Sequence, residues 1–122
     1  MTITGPDFIA LQVRDLERAA AFYEERLGLR RAPFSPPHAV VFATTPVPFA
    51  VRDALPGVDL DGAGQPGAGV ALWLHCTDAQ ALHDSLAAAG VPIVTPPFDG
   101  PFGRTFAFTD LDGYSVTIHD KQ

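Results

Sequence analysis

Apolar and polar residues alternate with period two over FIALQV, residues 8 to 13, the signature of a half-buried strand. The period then lengthens. In DLERAAAFYEERLG, Leu16, Ala19, Ala20, Tyr23 and Leu27 fall on one helical face behind Asp15, a natural N-cap, and Gly28 supplies the left-handed residue that stops the helix. The same plan recurs at residues 70 to 90. VALWLHCT alternates as a strand, Asp78 caps AQALHDSLAAA, Leu82, Leu86 and Ala89 form its apolar stripe, and Gly90 ends it. From capping Asp to closing Gly the chain runs 13 residues in the first half and 12 in the second.

After each Gly come short extended segments: LRRAPF, HAVVFAT and PFAVRD in the first half, VPIVTP, RTFAFT and YSVTIH in the second. Each half therefore predicts strand–helix–strand–strand–strand, an α+β duplication of a βαβββ unit. Module one covers about residues 7–54, module two about 70–120. Between them, residues 55 to 69 (LPGVDLDGAGQPGAG) form a Gly-, Pro- and Asp-rich linker within one domain spanning 1–122. In FTDLDGYSVTIH, residues 108 to 119, Asp110 to Gly113 reads as a turn. The following strand sets Tyr114, Val116 and Ile118 against Ser115, Thr117 and His119.

Composition narrows the function classes. The 122 residues allow one domain with a real core, and 47% hydrophobic with 18% charged residues is the composition of a folded chain. The net charge of -6 argues against nucleic acid or an anionic membrane as partner, and is compatible with a cationic small ligand. The single cysteine, Cys76, fits a reducing compartment and reads as a buried, inert thiol. With no signal-like leader and no apolar run of about 18 residues, a cytoplasmic protein is expected.

The phrases VRDLERAAAFYEERLGL and GRTFAFTDLDGYSVTI resemble the vicinal oxygen chelate superfamily, which holds glyoxalase I, extradiol dioxygenases, fosfomycin-resistance enzymes and bleomycin-resistance proteins. The resemblance implies two βαβββ modules whose curled sheets make a half-open barrel around a cavity, often in a homodimer. It also implies four metal-ligand positions, two per module. Here they match Phe8, Gly69 (or Val70), a residue in 50–52 taken as Val51, and Thr117. None is a competent ligand for a catalytic divalent ion, so no metal and no cofactor are expected. The remaining donors allow a displaced set of Gln12, His75 and His119, which no local spacing supports. His83 reads as a surface residue.

With the metal positions turned into ordinary lining, the expected cavity is aromatic. Strand parity assigns it Phe8, Ala10, Gln12, Phe49, Val51, Trp73, His75, Ser115 and Thr117, with His119 as an outer member. Phe42, Phe106 and Phe108 belong either to it or to the helix side. Trp73, the only Trp, offers a flat π face for a planar or cationic ligand, or simply fills the barrel. In TPPFDGPFGRTF, residues 95 to 106, Phe98 and Phe102 sit on a predicted Gly-rich loop over the cavity mouth. Arg104 either meets an anionic or carbonyl group or pairs with a surface carboxylate.

The ligand-binding set is thus Phe8, Gln12, Phe49, Val51, Trp73, His75, Arg104 and Thr117, with no catalytic residue. Three functions compete: a metal-independent binding protein of the bleomycin-resistance type, sequestering an amphiphilic or cationic aromatic compound such as an antibiotic; a glyoxalase-like lyase or dioxygenase with a displaced metal site; and a scaffold with a vestigial cavity. Space left by Gly69 and Thr117 favours a pocket over a plug.

Overall fold

The computed structural model describes residues 1–62 and 64–121. Ala63, in the predicted linker, and the terminal Gln122 lie outside the described residues. The chain divides into two compact units, Met1–Gly62 and Ala63–Gln122.

The first unit runs β1 (Ile9–Val13), α1 (Leu16–Leu27), β2 (Ala39–Phe42) and β3 (Phe49–Asp53). Its sheet has the order β1-β3-β2, with β3 parallel to β1 and antiparallel to β2. Asp15 caps α1 by accepting the Arg18 N–H at 3.1 Å, and Gly28, at φ 73°, donates back to the Glu24 carbonyl. Tyr23 on α1 is 1% exposed and packs against Phe49 and Phe42, at ring-centroid distances of 5.2 and 6.3 Å. Phe22 meets Tyr23 edge-on at 5.4 Å. Edge and offset contacts of this kind suit the ring quadrupoles and add about 0.5–1.5 kcal/mol per pair beyond burial.

LRRAPF does not form the strand its pattern predicts. Only Arg31 makes a β-bridge, to Phe42 on β2. Pro33 removes a ladder donor within the segment, and Pro36 and Pro37 just after it keep the pairing from extending.

The second unit runs β4 (Leu72–His75), α2 (Ala79–Ala88), β5 (Ile93–Gly100), β6 (Gly103–Thr109) and β7 (Ser115–His119). The sheet order is β4-β7-β6-β5, with β4 parallel to β7 and the other pairs antiparallel. This is the first unit's order with one more strand, since Arg31 stands beside β2 where β5 stands beside β6. Asp78 caps α2 through the Ala81 N–H at 3.0 Å. Leu86 and Ala79 on α2 are buried, as are Phe106, Phe108, Val116 and Ile118 on the sheet. Ala89, expected in the apolar stripe, is exposed where the helix ends. His83, expected at the surface, lays its ring edge-on to Phe106 at 5.4 Å, because its position on α2 faces the sheet.

The turn at residues 110 to 113 forms as its residue types dictate. Asp110 is buried, and one carboxylate oxygen accepts the N–H groups of Asp112 and Tyr114, each at 2.9 Å. Gly113 sits at φ 96°, where a Cβ would be strained. The preceding connector is tied to this turn: the Gln65 amide donates to the Gly113 carbonyl at 2.6 Å, and Gly67 lies against the Tyr114 ring. Among the described residues no helix is long and apolar enough to cross a membrane.

A candidate small-molecule site on the second sheet

Register decides which side chains share a face. In the second unit Trp73 pairs with Thr117 and His75 with His119 across β4 and β7, while Ala107 and Thr105 on β6 oppose Thr117 and His119. Phe98 on β5 opposes Thr105. These residues therefore line the face turned away from α2. Leu72, Leu74, Phe106, Phe108, Val116 and Ile118 take the α2 face, which settles the side on which Phe106 and Phe108 lie.

Four rings converge on the open face. Trp73 meets Phe102 edge-on at 5.5 Å and His119 at 5.8 Å; His119 meets His75 at 5.6 Å and Phe102 at 6.2 Å. Trp73 is 45% exposed and Phe102 is 54% exposed, so about half of each side chain remains open for a ligand. Large apolar side chains left this open, in a group, more often mark a binding surface than a packing accident.

The backbone of Lys121 anchors this group. Its N–H donates to the Phe102 carbonyl at 3.0 Å, and its carbonyl lies 2.9 Å from His119 Nδ1. A carbonyl only accepts, so Nδ1 carries the proton, and in the neutral ring Nε2 presents a lone pair. Next to it, the Asp120 carboxylate accepts the Arg104 N–H at 2.9 Å. Gly103, at φ 85°, leaves no room for a Cβ beside Asp120 and Lys121.

Residues 95 to 100, expected as a loop, are part of β5, and only Pro101 and Phe102 make the turn into β6. Pro96 and Pro97 are accommodated because β5 is an edge strand whose register shifts between Thr95 and Phe98, so the ladder donors they lack are not needed there. Arg104 lies on the α2 face, where it donates to the Gln80 side chain at 3.0 Å and pairs with Asp99 at 3.2 Å. It is removed from the aromatic group, and the surface pairing is the reading that holds. Cys76 points away from His75, and burial pushes its thiol pKa up.

In the first unit the expected set divides. Phe49 packs on Tyr23 and is 3% exposed, and Val51, two residues on and fully buried, shares its α1 face. Both are core and not lining. The open face of that sheet carries Ala10 and Gln12, beside Ala50 and Arg52. Phe8 is half exposed just before β1. The Gln12 side-chain carbonyl accepts the Leu55 N–H at 2.8 Å, so it already holds the segment leaving β3.

The donor chemistry at the matched positions does not fit a divalent ion. Phe8 and Val51 have no lone pair, Gly69 has no side chain, and Thr117 offers a neutral hydroxyl. Among the described residues no three of His, Cys, Asp or Glu stand together as a metal-binding group. His75 and His119 come together, but among the described residues no third such donor joins them.

The sequence profile of the Glyoxalase/Bleomycin resistance protein/Dioxygenase superfamily matches residues 5–118. The chain belongs to this superfamily. No curated protein matches it. Among solved structures, TnmS3, an antibiotic binding protein from Streptomyces sp. CB03234, is 25% identical with a TM-score of 0.76, the match covering 100% of this chain and 99% of that one. A member of the superfamily from Sphaerobacter thermophilus is 26% identical with a TM-score of 0.71, covering 98% of both chains. The fosfomycin resistance protein FosX from Listeria monocytogenes, at 18% identity and a TM-score of 0.75 over 99% of this chain and 96% of its own, shares the fold. These likenesses bear out the α+β plan of the glyoxalase/bleomycin-resistance fold.

Proposed function

We propose that this superfamily member is a metal-independent small-molecule-binding protein. Its ligand is an amphiphilic or cationic aromatic compound, such as an antibiotic, which it sequesters without chemical change. The observation that carries the reading is the half-exposed Trp73 grouped with Phe102, His75 and His119 on one sheet face. Flat rings with few internal degrees of freedom bind planar or cationic groups at low entropic cost, and Thr117 and the imidazoles supply polar anchors. Likeness to an antibiotic binding protein along the full chain supports the same class. Sequestration needs affinity alone, which agrees with matched ligand positions that offer no catalytic metal site. A cytoplasmic homodimer is the setting this reading implies.

The His75–His119 pair favours one second reading, a glyoxalase-like lyase or dioxygenase with a displaced metal site. Metal content of protein purified without chelator separates the two, followed by thermal unfolding with added Zn, Ni, Mn and Fe. The binding reading expects no bound ion and no stabilisation, together with saturable quenching of Trp73 by cationic aromatic compounds. One tightly bound ion per chain that is lost on mutating His75 and His119 would establish the second reading instead.

A further inference from the structure

We infer that the ligand is a planar aromatic bearing a hydrogen-bond donor, a phenolic hydroxyl or an ammonium, which it gives to Nε2 of His119 while its ring lies against Trp73 and Phe102. This rests on the small-molecule reading above and names its chemistry. The deciding contact is the 2.9 Å approach of His119 Nδ1 to the Lys121 carbonyl, which places the proton of the neutral ring on Nδ1 and leaves Nε2 as its acceptor. The same residue's N–H holds the Phe102 carbonyl at 3.0 Å, so the acceptor and one flanking ring are set by a single backbone unit. Trp73 and Phe102, edge-on to each other at 5.5 Å, both lie beside the His119 ring whose Nδ1 is already held. Groups held this way lose little freedom when a ligand docks. A ligand lacking the donor would bury the lone pair without a partner, and discrimination of this kind by a polar group exceeds what shape alone provides.

The first test needs no ligand. Long-range ¹H–¹⁵N correlation spectra of the whole protein at pH 8 should show His119 as the Nδ1–H tautomer; an Nε2–H ring overturns the inference. The second compares three probes by calorimetry: 2-naphthol, 2-methoxynaphthalene and 2-naphthylmethylammonium. The two donors should bind about fivefold or more tighter than the methyl ether. In His119→Phe, with folding checked by circular dichroism, the advantage should vanish. The wild-type comparison stands by itself where that variant does not fold. Naphthol and ammonium then report which donor is preferred. Equal binding of donor and ether by the wild type sinks the donor inference while the aromatic-binding reading survives. No binding by any probe, with quenching of Trp73 also absent, removes both.

Discussion

Trp73 is placed by two constraints acting together. On β4 its neighbours Leu72 and Leu74 pack toward α2, so pleating sends the indole to the other face, where Phe102 and His119 meet it without covering it. Replacing it with Ala should cost less stability than truncating a buried core aromatic, because the side chain is 45% exposed, yet weaken a cationic aromatic ligand about tenfold or more. Calorimetry beside a thermal unfolding curve checks both halves, and equal loss of stability and affinity would make Trp73 a core residue. On the adjacent position, burial raises the Cys76 thiol pKa, ahead of a smaller opposing backbone hydrogen bond at Asp78. The native state therefore holds this proton more tightly than the unfolded chain. Its stabilising contribution is present below the ordinary thiol range and is lost as pH rises through the elevated native value. Maleimide labelling at pH 7 should be slow in native protein and fast in urea, and the native rate should rise with pH.

At the level of elements, the hairpin β5–β6 is the part on which the site depends. Phe98 lies on its first strand and Phe102 in its turn, and Gly103 starts its second strand with a Cβ position blocked by Asp120 and the Lys121 backbone. Gly103→Ala combines a positive φ with that clash, and a loss of about 1–3 kcal/mol is expected from urea unfolding. The His119 ring should also lose its fixed tautomer, since the Lys121 carbonyl that sets it would have to move. Elements of this kind were the hardest to read from residues alone. Both helices were legible from Asp15, Gly28, Asp78 and Gly90, because caps act within a few residues. Pro96 and Pro97 argued for a loop, and nothing local revealed an edge strand whose shifted register tolerates them. FAVRD was legible as a strand but not in its facing. Phe49, Ala50 and Val51 are all apolar, so the pattern left parity free, and a shift of one residue exchanges core for lining. The Trp73, His75 and Thr117 row, flanked by leucines and by Val116 and Ile118, had a clear alternation, and the register sets all three on the face away from α2. The anchor at Lys121 left no sequence signal, since its backbone and not its side chain does the holding.

Across the molecule, duplication gave two units of like topology but unlike charge. The first, to residue 62, carries six Arg against eight carboxylates. The second has only Arg104 and Lys121 against six carboxylates, a formal -4 of the chain's -6, and Arg104 is engaged by Asp99. The unit that holds the aromatic group is thus the more negative, and a cation approaching it gains from that field before any contact forms. A hydrogen-bonding phenol gains nothing of the kind. This separates two contributions that a single affinity would merge. Between about 0.02 and about 0.5 M salt the screening length falls from roughly 20 Å to roughly 4 Å. Over that range 2-naphthylmethylammonium should weaken several-fold, whereas 2-naphthol should hold its affinity within about a factor of two. A parallel decline of both would point to a salt effect on the fold, which the unfolding temperature in the same buffers would show. Constant binding of both would mean that the ring and the His119 acceptor recognise the ligand unaided, and that the acidic surface serves solubility alone.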